Sequence, residues 1–210
     1  MGMLRAAVMV SVMWMGFVSL SLASPQPLAL RLSPPPDRLG PEWMQSAPFP
    51  AVAEVPVEVG DDLAGAILDI VAGAPNARYR IQLQYETSLT ISDEGPHVDL
   101  LDWKHCVSDW EPVQATAPNR FVLPAPSPEQ AHCFPDFTHR ELVAAARKAL
   151  SAWADPAGIE RWIRLLDGVR KAGDGPTYAE ISKVRMRVEV FDQGRWQPVT
   201  TVEFVLPMGC

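Results

Sequence analysis

From Tyr79 to Ile91 the chain alternates without a break. Tyr79, Ile81, Leu83, Tyr85, Thr87, Leu89 and Ile91 fall on one side, and Arg, Gln and Glu residues stand between them. Residues two apart share a face of an extended strand, so this stretch reads as one long strand with a buried face and a wet face. Any architecture for this chain must supply a layer to cover that apolar face.

Shorter strand candidates are "EVPVEV" at 54–59, "HVDLLDW" at 97–103 and "RFVLP" at 120–124. The chain ends in a hairpin, with Val184, Met186, Val188 and Val190 on one face going out and Trp196, Pro198, Thr200, Val202 and Phe204 on one face returning. A three-residue loop, Asp192-Gln193-Gly194, pairs Val190 with Trp196 and keeps the two apolar sets together. A two-residue Gln193-Gly194 loop sets Val190 against Gln197 and turns the faces against each other, so the longer loop is expected. Pro198 calls for an edge or a bulge in the returning strand.

Leu63, Ile67, Ile70 and Val71 follow an i, i+4, i+7, i+8 spacing, which predicts an amphipathic helix begun at Gly60 or Asp61 and stopped by Gly73 and Pro75. Thr138 and Glu141 form a capping box, with Phe137 and Leu142 as its hydrophobic staple, and Leu142, Ala146, Ala149, Leu150 and Trp153 make the apolar stripe. Asp155 as N-cap and Pro156 at the first position open another helix, lined by Ile159, Trp162, Ile163, Leu166 and Val169 and closed by Arg170, Lys171 and Gly173. This order predicts an α+β fold for residues 51–210 as a single domain: an antiparallel sheet with helices packed on one face, ending in a β-hairpin.

Residues 24–50 hold eight of the 21 prolines and read as a linker or strap over the domain. Within that stretch Leu28, Leu30 and Leu32 alternate as in a short edge strand, and Trp43 and Phe49 are suited to plug into a core. Further upstream, Arg5 precedes an apolar run from Ala6 to Ala23 that breaks at "SPQP". That order is the signature of a secretory signal over residues 1–23, cut after Ala23, with an uncleaved membrane anchor as the rival reading. A periplasmic or secreted location follows.

Export changes what cysteine means, because an oxidising compartment pairs thiols. The chain has three cysteines; Cys106 and Cys133 lie inside the folded part and Cys210 is the last residue, so the expected crosslink is Cys106–Cys133. In the sequence each of the pair follows a histidine, His105 and His132. Neighbours on an extended chain point to opposite faces, and the spacings match no usual zinc pattern, so no metal site is expected. A reactive thiol is equally disfavoured by the compartment.

The net charge of −7 argues against nucleic acid as a partner and for a basic protein surface. No G-x-S-x-G elbow, H-E-x-x-H helix, phosphate loop or dinucleotide fingerprint is present, and no cofactor is expected. Asp99, Asp102, Asp109 and Glu111 form a pool from which two carboxylates could serve glycoside cleavage, or they simply face water. Asp102, Trp103, Asp109, Trp110 and Glu111 interleave large aromatics with acids on a segment tethered by Cys106, and are the candidate binding residues. Trp103 fits a buried strand position equally well. The resulting expectation is an exported, non-catalytic binding protein, of an inhibitor or immunity type, directed at a basic envelope partner. The alternatives are an envelope hydrolase with paired carboxylates and an assembly component that offers an edge strand.

Overall fold

The computed structural model describes residues 28–36, 42–58, 63–72 and 77–208. The secretory signal expected over residues 1–23, the helix boundaries expected at Gly60, Asp61, Gly73 and Pro75, and Cys210 lie outside the described residues.

In chain order the elements are β1 (Ala29–Ser33), β2 (Trp43–Ser46), β3 (Val52–Pro56), β4 (Ile67–Ala72), β5 (Tyr79–Ser92), β6 (His97–Asp99), β7 (Cys106–Val107), β8 (Glu111–Val113), β9 (Ala115–Ala117) and β10 (Arg120–Val122). They continue with α1 (Pro128–Ala131), α2 (His139–Leu150), α3 (Pro156–Leu165), β11 (Thr177–Asp192) and β12 (Arg195–Val205). The strands form two sheets. The first runs β2-β1-β4-β10-β9, and the second runs β3-β12-β11-β5-β6, with β7 and β8 also paired along β5.

The long alternation forms β5, and its odd-numbered face is buried against two different layers. Ile81, Leu83 and Tyr85 meet Leu30, Leu68 and Phe121 of the first sheet, together with Val184, Met186, Val188, Val202 and Phe204 of their own sheet. Farther along the same face, Leu89 and Ile91 meet Leu142, Ala146 and Leu150 of α2 and Trp162 of α3. A bulge keeps β11 in step with this face. Thr87 opposes Ile181 and Glu86 opposes Lys183, so Ser182 is the extra residue, and the inward positions of β11 change from odd to even across it.

The α+β expectation is overturned. Among the described residues strand accounts for 44% and helix for 16%, so the fold is β-rich, two sheets with three short helices, and not helices packed on a sheet. The second sheet is also not purely antiparallel, because β3 joins β12 in parallel. The error traces to residues 63–72. Their apolar spacing fits a helix, yet 67–72 form β4, with Leu68 and Ile70 buried and Val71 exposed in the alternation of a strand. A short apolar run fits both periods, and the β-branched Ile67, Ile70 and Val71 favour the pleated surface. Part of the proline-rich stretch supplies β1 and β2, and β1 sits between β2 and β4 instead of at an edge. Trp43 packs on the core with its ring edge-on to Phe204 at 6.4 Å, and Phe49 joins the same cluster.

The hairpin loop is also corrected. Asp192 pairs with Arg195, Phe191 with Trp196 and Val190 with Gln197, so the loop is the two-residue Gln193-Gly194. Both residues have positive φ, 49° and 81°, as a type I′ turn demands, and that turn matches the twist of the flanking strands. The mismatch of faces is absorbed by a bulge, since Glu189 pairs with Pro198 and Val188 with Thr200, leaving Val199 over. Thr200, Val202 and Phe204 therefore turn inward, whereas Trp196 stacks near Phe191 at 5.2 Å and beneath Arg80 at 4.8 Å. Both helix starts form as expected: Thr138 and Glu141 make the capping box of α2, and Asp155 caps α3 with Pro156 behind it. α2 ends at Leu150, so Trp153 lies beyond it and is 62% exposed. α3 stops at Leu165, and Gly168, with φ at 83°, turns the chain before Arg170 is reached.

Candidate functional site

The segment that leaves β6 is held in place by several independent contacts. Leu100 is buried and its N–H donates to the carbonyl of Leu89 at 2.9 Å, and the N–H of Trp103 donates back to Leu100 at 3.2 Å. Leu101 and Asp102 therefore stand at the tip of a turn, both exposed. Trp103 folds onto Phe134 and Phe137, with ring centroids 5.8 and 5.4 Å away. Lys104 Nζ donates to the carbonyl of Asp136 at 2.9 Å and to Glu141 Oε1 at 3.2 Å. Cys106 is bonded to Cys133, with Cα atoms 5.7 Å apart. A structural crosslink of this kind belongs to an oxidising compartment. No described helix is long and apolar enough to cross a membrane.

Between this turn and α2 lies an open groove of about 660 Å³. One wall is the stretch 99–103. The other is the side of α2 that carries Glu141, Ala144, Ala145, Lys148 and Ala149, with Ala152 just beyond the helix. Helical spacing explains the division of labour: Leu142, Ala146 and Leu150 turn to the core, and the neighbouring stripe, rich in alanine, is left to line the groove. Asp99, Asp102 and Glu141 contribute three carboxylates to the lining against the one ammonium of Lys148.

These acids are not equivalent. Asp99 accepts from Thr90 Oγ1 at 2.9 Å and faces His97 Nε2 at 3.4 Å. Asp102 has no hydrogen-bond or ion-pair partner among the described residues. Glu141 is held down to about 2, first by the Thr138 backbone N–H, then by the Thr138 hydroxyl and Lys104. A carboxyl lowered on folding stabilises the folded chain above its unfolded value and loses that contribution as pH falls through its folded value. The α2 cap is thus intact above about pH 4.5 and released as pH drops through about 2. A carbon-detected NMR titration should place the Glu141 midpoint near 2 in the native chain, and Thr138→Val should move it upward; an unmoved midpoint would show that the cap does not hold the charge.

The sequence-derived binding residues divide between separate places. Asp102 and Trp103 line the groove. Trp103 is both core and surface, half-buried on the two phenylalanines, with Lys104 Nζ 5.7 Å from its ring centroid. Trp110 instead lies beneath the Arg187 guanidinium at 3.8 Å, on the wet face of the second sheet. Asp109 is exposed beside it, and Glu111 accepts from Gln130 Nε2 at 2.7 Å. The groove residues that sequence reasoning passed over are Leu101, Glu141 and the alanines of α2. Glu141 was legible only as a cap, and alanines at helical spacing carry no chemistry by themselves.

One cluster has the composition of a hydrolase site. Ser88 Oγ is 3.1 Å from His105 Nδ1, and Glu86 Oε1 is 3.7 Å from the same nitrogen. A relay needs the hydroxyl and the carboxylate on opposite ring nitrogens, and a nucleophile needs access to substrate. Here both contacts fall on Nδ1, and Ser88 is fully buried against Ser182 Oγ at 2.8 Å. Arg185, bonded to Glu86 and Glu203, completes the polar cluster and marks it as structural. Among the described residues no three His, Cys, Asp or Glu side chains gather as metal ligands. No protein-family model, curated protein or solved structure matches this chain.

Proposed function

We propose that this is a non-catalytic binding protein of the periplasm or the extracellular space, of inhibitor or immunity type, that captures a basic protein through the groove beside α2. The observation that carries this reading is the groove itself, an open apolar trough with Leu101 51% exposed on one wall and, around it, the carboxylates of Asp99, Asp102 and a Glu141 paired with Lys104, against the ammonium of Lys148. Apolar area supplies affinity, and the excess of acid selects a cationic surface and speeds its arrival. The protein's net charge of −7 acts in the same direction. The disulfide and the aromatic packing hold the turn in its bound form beforehand, which lowers the ordering cost of association.

Site-directed photocrosslinking tests this directly. A benzophenone amino acid at Ala145, inside the groove, should crosslink to a basic protein of the envelope or secreted fraction, and Asp102→Lys should abolish the product. The same probe at Val71, exposed on β4 in the first sheet, should give none. An acidic partner, or equal crosslinking from both positions, would overturn the proposal.

A further inference from the structure

The two walls of the groove differ in a way that constrains what can lie between them. From Glu141 to Ala149 the α2 wall extends about 12 Å at 1.5 Å per residue, more than two helical turns. Ala144, Ala145 and Ala149 offer only methyl groups along it. Where side chains are this small, a second helix can approach at the short end of the usual 8–10 Å spacing between axes, roughly 8 Å.

An extended segment has little to hold here. Strand addition needs a row of unpaired backbone groups, and a helix wall has spent its own on the i to i−4 ladder. On the facing wall the N–H groups of Leu100 and Trp103 are already bonded. That wall also offers side chains: the exposed Leu101, the half-buried Trp103, with Lys104 Nζ 5.7 Å from its ring centroid, and the unpartnered carboxylate of Asp102. An apolar stripe flanked by a charge that matches Asp102 satisfies all three at once.

We infer that the groove takes an amphipathic basic helix, its apolar stripe laid along α2 and Leu101 and its lysines or arginines directed at Asp102 and Asp99. This inference rests on the basic-partner reading above and adds the form of the element that docks. A helix preformed in the partner keeps the ordering cost of docking low.

Isothermal titration with four synthetic probes separates the two ideas. The first is a stapled helical peptide with a leucine stripe and lysines elsewhere; the second replaces its lysines by glutamate. The third has the first's composition with central prolines that forbid a helix, and the fourth is benzyltrimethylammonium, a small apolar cation. The lysine helix should bind about tenfold or more tightly than each of the others. Asp102→Lys, at an exposed unpartnered position, should remove most of that binding while the circular dichroism spectrum stays unchanged. Ala145→Trp should block the trough with the same effect. Equal binding by the lysine helix and its proline-broken form would overturn the helix inference and leave the basic-partner reading intact. Equal binding by the lysine and glutamate helices would overturn both. Preference for the small cation, or binding by no peptide at all, would overturn the helix inference, and the crosslink from position 145 would then decide the parent reading on its own.

Discussion

Phe204→Ala is expected to destabilise the protein by about 4 kcal/mol, the range for deleting a fully buried aromatic ring. Phe204 is 1% exposed on β12, between Val184 of β11 and Val55 of β3 in its own sheet, with Trp43 edge-on to its ring. It belongs to the cluster that joins the two sheets, so its removal opens a cavity where the layers meet. A domain of this kind holds only about 5–15 kcal/mol in total, so the loss should appear as a large fall in the urea midpoint with an unchanged slope. A loss below about 1 kcal/mol would mean that the sheets do not pack face to face at this ring. The groove is built from another cluster, so lysine-helix binding should survive well below the unfolding transition.

The paired substitution Cys106→Ser with Cys133→Ser is expected to cost about 3.5 kcal/mol in the loop-entropy account, for a sequence separation of 27 residues. Its structural consequence should exceed that of a generic loop closure. The bond joins β7, paired with Thr87 of β5, to the segment carrying Phe134 and Phe137, and the Thr87 hydroxyl also donates to the Cys133 carbonyl. Without the bond, the floor under Trp103 and the turn bearing Asp102 lose their fixed distance from α2. Hydrogen exchange should therefore speed up at Trp103 and around Phe134 more than at Ile81 or Leu83 in the sheet interface, and groove binding should weaken beyond what global stability explains. Uniform acceleration across both regions would show the bond to be a stability device with no bearing on the site.

Much of the local structure was written in short-range chemistry. The alternation over β5 needed only the period of a strand, and Thr138 with Glu141, like Asp155 with Pro156, needed only the rules for satisfying the first N–H groups of a helix. The crosslink followed from compartment and elimination, and its two cysteines are indeed joined. At residues 67–72 the same reasoning failed, because six residues with several apolar side chains satisfy either period and the deciding partners, β1 and β10, lie far away in sequence. The hairpin failed for a related reason. The preference of Gln193-Gly194 for a type I′ turn outweighed the continuity of the apolar face, and a bulge at Val199 repaired the register.

The candidate site was half legible. Asp102 and Trp103 were picked out by composition and do line the groove, whereas Asp109, Trp110 and Glu111, singled out on the same grounds, are placed elsewhere. Residues close in sequence on a winding segment diverge in space as soon as the chain pairs with β5, first at Cys106–Val107 and again at Glu111–Val113. Sequence by itself determined the elements whose stability is local: one long strand, two capped helices and a covalent tie. Only the tertiary structure decided that a second sheet exists, that bulges at Ser182 and Val199 reset which side chains face inward, and that an alanine-lined flank of α2 stands opposite an unpaired carboxylate. Those outcomes depend on pairings between distant segments, whose free energy is set by mutual burial that no short window of residues contains.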